Sequence, residues 1–86
     1  MARVTLLYFS TVREAIGFGE EVRDLPEAVL TSRDLIHWLT ALGEGYAQAF
    51  ATPEKLRCAV DQVMAPLDAP LREAKEIAYF PPVTGG

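Results

Sequence analysis

Two glycines, Gly85 and Gly86, close the sequence directly after Phe80-Pro81-Pro82-Val83-Thr84, and the chemistry this order offers is that of a glycine α-carboxylate. A carboxylate is a poor electrophile, and with a terminal pKa near ~3.5 it is ionised at neutral pH. Acyl chemistry there requires prior activation, most simply as a mixed anhydride with AMP. A sulfur donor could then convert the acyl-adenylate into a terminal thiocarboxylate, a compact nucleophilic sulfur held covalently on the chain. Glycine has no Cβ to obstruct close approach, so the pair makes a slim tip for a partner's active site. Pro81 and Pro82 fix φ and hold Phe80 and Pro81 extended. From Pro81 to Gly86 the extended reach is at most about 20 Å. The competing reading is an inert terminus, since chain ends commonly fray.

No other residues form a constellation for autonomous catalysis. His37 is the only histidine, and no acid or nucleophile stands beside it at a readable spacing, so it reads as a solvated or boundary residue. Cys58 is the only cysteine, within Leu56-Arg57-Cys58-Ala59-Val60, and reads as a buried small hydrophobe; a disulfide and a CxxC metal or redox motif are both excluded. Carboxylate pairs such as Glu20-Glu21 read as solvated surface. The glycines are scattered singly until the end, so there is no phosphate-cradling loop. The expectation is a carrier whose reactive group is made by others, with no bound cofactor or metal.

Composition sets the frame. With 86 residues the chain is one domain, and it should bury between ~60% and ~70% of the surface its unfolded form exposes. Half the residues are hydrophobic, which excludes a disordered chain, yet no apolar run approaches the length of a bilayer span. The net charge of −4, with acids dispersed, argues against nucleic acid, whose binding leans on Lys and Arg. It favours solubility and, more weakly, a basic partner surface. Met1-Ala2-Arg3-Val4 runs into a strand-like segment without a cleavage site, so neither membrane nor secretion is expected, and a cytoplasmic location fits.

The elements that must position the tail follow from local pattern. Arg3 to Phe9 reads as a strand, apolar almost throughout. Thr11 and Glu14 have capping-box spacing ahead of Gly17, which predicts a short helix. Glu20 to Leu25 predicts a second strand. A longer helix starts near Thr31, with Thr31 and Asp34 as a capping box and Leu30 and Leu35 as a hydrophobic staple. Leu35, Trp38, Leu39 and Leu42 form its apolar stripe and Gly43 its end. Tyr46 to Phe50 predicts a helical turn and Leu56 to Val60 a strand. Asp61-Gln62 is a turn, Val63 to Ala65 a short strand, and Pro66 to Pro70 a loop. Glu76 to Phe80 is the last strand, with Ile77 and Tyr79 on one face and Ala78 and Phe80 on the other. The order predicts an α+β domain over 1–80, a mixed sheet with one main helix across it, followed by an extended tail over 81–86. If the first and last strands pair in parallel, the layout is the ubiquitin-like β-grasp.

At these residues the sequence resembles the small, sulfur-carrier subunit of molybdopterin synthase. The resemblance rests on Val12-Arg13-Glu14 after the first strand and on Glu76-Ile77-Ala78-Tyr79-Phe80-Pro81-Pro82-Val83-Thr84-Gly85-Gly86. It implies that a ubiquitin-activating-type adenylyltransferase uses ATP and magnesium to form a glycyl adenylate at Gly86. A persulfide sulfur donor then yields the Gly86 thiocarboxylate, a 1-thioglycine. It implies docking through Phe80, Pro81, Pro82, Val83, Thr84 and Gly85 on the large, catalytic synthase subunit, in a heterotetramer. There two sulfurs pass in turn to a cyclic pyranopterin monophosphate, making the dithiolene of molybdopterin. Relatives of this type also serve thiamine, cysteine and tRNA thiolation, and others are conjugated to lysines as ubiquitin-like modifiers. Thr84 in place of the commoner Ser keeps the hydroxyl. Ala74-Lys75 and Asp61 depart from the usual Gly-Asp and Asn turns. Strand alternation leaves Phe9 or Phe80 facing away from the helix-covered core, and an apolar patch of this kind at the tail root marks a partner site.

Overall fold

The computed structural model describes residues 2–82. Its first strand, β1 (Ala2–Tyr8), buries Val4, Leu6 and Tyr8 on one face by simple alternation. The chain turns through helix α1 (Ser10–Ile16) into β2 (Glu20–Leu25), which pairs antiparallel with β1. Helices α2 (Ser32–Thr40) and α3 (Glu44–Ala49) follow, and a 3₁₀ turn (Pro53–Lys55) leads to β3 (Arg57–Val60). A tight hairpin gives β4 (Val63–Ala65), and β5 (Glu76–Phe80) closes the sheet.

The strand order is β2-β1-β5-β3-β4. The first and last strands lie side by side in parallel, from Thr5↔Glu76 to Tyr8↔Tyr79, which is the β-grasp arrangement. β5 is therefore a central strand, paired with β3 on its other side. One layer of helix covers one face of the sheet, and the core lies between them. Leu35, Ile36 and Leu39 of α2 meet Leu6, Cys58, Ile77 and Tyr79 of the sheet in one cluster. Such burial is the main source of stability, at about 25 cal/mol per Å² of apolar surface.

The α2 start matches its sequence signal. Thr31 Oγ1 accepts from Asp34 N at 3.0 Å, and Asp34 Oδ2 accepts from Thr31 N at 3.1 Å. The same Oδ2 accepts from Leu30 N at 3.1 Å. Gly17 also caps α1 as expected, in the left-handed conformation (φ 103°), donating to Arg13 O at 2.8 Å.

Four local expectations are corrected. α1 begins at Ser10, so Thr11 already lies inside its first turn; Phe9 is the N-cap, and no Thr11–Glu14 box forms. Leu30 is 64% exposed, because its backbone is held by Asp34 on one side and by Leu71 N on the other, so the Leu30–Leu35 staple is absent. Leu42 is 41% exposed, since α2 ends at Thr40 and Leu42 leaves the helical period; Ile36 takes the core position instead. Gly43 is extended (φ 170°) and is the N-cap of α3 rather than the end of α2.

Asp61 and Gln62 form the β3–β4 turn with φ of 50° and 70°. Positive φ at both central positions matches the right-handed twist of the strands. Asp61 also fastens the entry of β5. Its Oδ1 accepts from Lys75 N at 2.8 Å and Glu76 N at 2.9 Å, while its own N–H donates to Glu76 O at 2.8 Å.

Candidate functional site

β5 points its C-terminal end, Phe80, at the edge of the sheet where Phe9 leaves β1. Phe9 N donates to Tyr79 O at 3.2 Å, which extends the parallel pairing by one residue. Tyr8 and Tyr79 point into the core, so Phe9 and Phe80 point out through the other face. Their rings meet edge to face, with centroids 6.5 Å apart at 77°. Phe9 is 48% exposed and Phe80 half-buried, so both aromatics present apolar edges to solvent.

A row of residues runs across this uncovered face beside them. Leu7, Ala78, Ala59 and Met64 are successive partners on β1, β5, β3 and β4. The two alanines leave the middle of the row flat, and Met64 at its end is 61% exposed. Methionine is adaptable at contact surfaces. Together with the aromatic pair, these side chains form the contiguous apolar patch expected at the tail root. The half-buried Pro81 and exposed Pro82 continue directly from it. Val83, Thr84, Gly85 and Gly86, the remaining predicted site residues, lie outside the described residues.

Polar bonds on the core side hold this root rigid. Tyr79 OH donates to Ser32 O at 2.9 Å and accepts from Ser32 Oγ at 2.8 Å, tying β5 to the start of α2. Burial pushes the Tyr79 hydroxyl well above the ordinary tyrosine range. Tyr8 donates to Glu21 Oε2 at 2.6 Å, and Tyr46 donates to the same oxygen at 2.7 Å. Arg23 Nε donates to Glu21 Oε1 at 2.9 Å, and its guanidinium lies about 6 Å from the ring centres of Trp38 and Tyr46. Burial, with the Glu21 carboxylate second, pushes the Tyr8 hydroxyl up as well, so Tyr8 stays a neutral donor. The carboxylate read from sequence as solvated is thus the hub of a polar cluster, because three donors from β1, β2 and α3 converge on it.

Cys58 is buried, as expected, and its thiol donates to Ala65 O at 3.2 Å; burial pushes its pKa up. It therefore lacks the thiolate character of a reactive cysteine. His37 is exposed on α2. Met64 and Arg57, both on the uncovered face, were not singled out from the sequence. The period-two pattern of the β3–β4 hairpin carried the signal, but only the sheet order reveals that this face is shared with Phe80.

The fold and this site define a ubiquitin-like β-grasp protein whose central strand β5 runs on into Pro81 and Pro82. The family model described as the ThiS family matches residues 6–86, and the chain belongs to that family. Among its relatives is the molybdopterin synthase sulfur carrier subunit of Escherichia coli, 34% identical over 89 residues, spanning 96% of this chain and 99% of that protein. The protein of the same description from Mycobacterium tuberculosis is 34% identical over 86 residues, spanning 100% of both. A solved Pyrococcus furiosus chain, proposed to be molybdopterin converting factor subunit 1, superposes with a TM-score of 0.74 at 25% identity, covering 96% of this chain and 100% of that one. The Haloferax volcanii protein SAMP1 superposes with a TM-score of 0.70 at 20% identity, covering 99% and 100%, and shows the shared fold.

Proposed function

We propose that this protein is a sulfur carrier for molybdopterin synthesis, with residues 81–86 as its working tail and Gly86 as its reactive residue. The observation that carries the reading is the course of β5. It is a central strand, fixed at both ends, that delivers Phe80-Pro81-Pro82 beside an uncovered apolar face. The near-full-length likeness to molybdopterin synthase sulfur carrier subunits supplies the pathway.

In this reading the chain does not catalyse. In an adenylyltransferase of the ubiquitin-activating type, which would hold ATP and magnesium, a Gly86 carboxylate oxygen attacks the α-phosphorus of ATP, forming the glycyl adenylate and releasing pyrophosphate. The sulfur of a persulfide donor displaces AMP from the glycyl adenylate, and a thiol cleaves the resulting S–S bond to leave the Gly86 thiocarboxylate. The apolar face then docks on the large synthase subunit, and the stiff proline segment lowers the ordering cost of threading the tail into its active site. The thiocarboxylate sulfur attacks a side-chain carbon of the pterin precursor and displaces an oxygen substituent. Water then cleaves the glycyl C(O)–S bond, leaving the sulfur on the pterin and returning Gly86 to a carboxylate. Two such carriers supply the two dithiolene sulfurs.

The test is an intact mass of the protein co-expressed with its adenylating enzyme and a sulfur source. A species heavier by one oxygen-for-sulfur exchange, localised to Gly86 by fragmentation, is expected. It should convert the pterin precursor when mixed with the large subunit. An unmodified Gly86 beside a competent activating enzyme would remove the reading, and isopeptide adducts through Gly86 would replace it with protein conjugation.

A further inference from the structure

Arg57 is the direct cross-strand partner of Phe80 in the β3–β5 ladder. Opposed residues of an antiparallel pair stand on the same face with Cβ atoms about 4.5–5.5 Å apart. The Arg57 side chain therefore leaves β3 beside the Phe9–Phe80 patch. Its Nη1 donates to Leu56 O at 3.1 Å and, at the limit of bonding, to Glu54 O at 3.5 Å. Both contacts engage Nη1, and among the described residues the Nε and Nη2 edge has no hydrogen-bond partner. That edge is the one which meets a carboxylate side-on through two parallel N–H···O bonds.

Among the described residues, Arg3 pairs with Asp24, Arg23 with Glu21 and Arg33 with Asp68, whereas Arg57, like Arg13 and Arg72, pairs with no carboxylate; of these three only Arg57 stands opposite Phe80. In a chain of net charge −4, this is a cation at the rim of the apolar face that no acid among the described residues takes up. A partner attracted only by the chain's overall charge would be basic and would be repelled here. A partner selected at this point must instead place an acid beside the aromatic pair.

We propose that Arg57 is a specificity-determining contact of the docking face, which receives an Asp or Glu carboxylate of the large synthase subunit side-on, next to Phe80. This rests on the reading that the chain docks on that subunit through this face. Rim charges of this kind set association rate and salt dependence more than they set fold.

The experiment is calorimetric titration of the large subunit with wild type, Arg57→Glu, Arg57→Gln and Arg57→Lys at low and high salt. Stopped-flow association rates and far-UV circular dichroism of each variant accompany it. Arg57→Glu is expected to weaken binding at low salt by about tenfold or more, mainly through slower association. Arg57→Gln is expected to flatten the salt dependence. Arg57→Lys is expected to restore the salt dependence but only part of the affinity, because an ammonium cannot make the bidentate contact. If wild type binds and both Arg57→Glu and Arg57→Gln bind as tightly with the same salt dependence, the inference is overturned while the docking reading stands. If wild type itself does not bind the large subunit, the docking reading falls and the inference with it.

Discussion

Ser32 and Tyr79 exchange two hydrogen bonds across the buried core, hydroxyl to hydroxyl at 2.8 Å and hydroxyl to carbonyl at 2.9 Å, although 47 positions separate them in sequence. The pair locks the strand that leads into the tail to the first turn of the main helix. Both residues are fully buried, so removing one partner strands the other's polar groups away from water. Tyr79→Phe is expected to cost about 1–3 kcal/mol in urea unfolding. Because the lost hydroxyl faces the core, affinity for the large subunit should be unchanged at temperatures where the variant is folded.

The outward-facing neighbour behaves in the opposite way. Phe80 presents its ring to the uncovered face against Phe9, so truncation removes contact surface more than core. Phe80→Ala is expected to weaken large-subunit binding by at least about tenfold, as for a buried aromatic anchor at an interface. Calorimetry on a variant with native circular dichroism checks this. Unchanged affinity would remove Phe80 from the interface.

Acid should unfasten the start of α2. The N–H groups of Leu30, first, and Thr31 hold the Asp34 carboxyl below the ordinary carboxylate range. A carboxyl with a depressed folded pKa stabilises fully above its unfolded value, near ~3.9, and the effect is lost as pH falls through the folded value. The stability gap between wild type and Asp34→Ala is therefore expected to be largest at neutral pH and to close below about pH 4. Thr31→Ala, which loses the other half of the capping box, is expected to cost about 1 kcal/mol. Unfolding curves of the three proteins at neutral and acid pH decide both points.

Gly45 marks a close approach of two helices. A Cβ there would stand 2.9 Å from Ala15 O and 3.5 Å from Ile16 Cα, both backbone atoms that cannot step aside. Alanine ordinarily gains up to about 1 kcal/mol over glycine in a helix. Overpacking of about 1–3 kcal/mol outweighs that gain. Gly45→Ala should lower stability, and Gly17→Ala should too, through its positive φ rather than a clash. Thermal melts of both variants test the pair.

The sequence made the fold legible where short-range chemistry decides structure. The Thr31–Asp34 box, the left-handed Gly17 and the first and last strands all depend on residues close in sequence, and each appears where the local pattern places it. It misled where distant partners decide. Leu30 carries a staple-like spacing, yet its backbone bonds to Leu71 and Asp34 turn the side chain outward. Leu42 fits the helical period on paper, but the helix stops two residues earlier. Glu21 looks solvated until Tyr8, Arg23 and Tyr46 converge on it. The root of the candidate site was half visible in the same way. Phe80 could be placed from strand alternation alone, whereas Arg57 and Met64 join it only through the β5-β3-β4 neighbourhood.

The parallel pairing of β1 with β5 also bears on how the protein is made. The two strands at the middle of the sheet are the earliest and the latest in chain order, so the nucleus of the sheet spans almost the whole sequence. Contacts between remote segments are slow to form, because the intervening loop must close first. During synthesis β1 and β2 can pair as a hairpin, but the slot beside β1 stays empty until β5 emerges from the ribosome. A chain truncated before Glu76 is left with two unpaired strand edges in the centre of its sheet, a target for proteolysis and aggregation. Completion of the last strand thus couples folding to delivery: only a finished domain holds Phe80 and Pro81 in a defined direction.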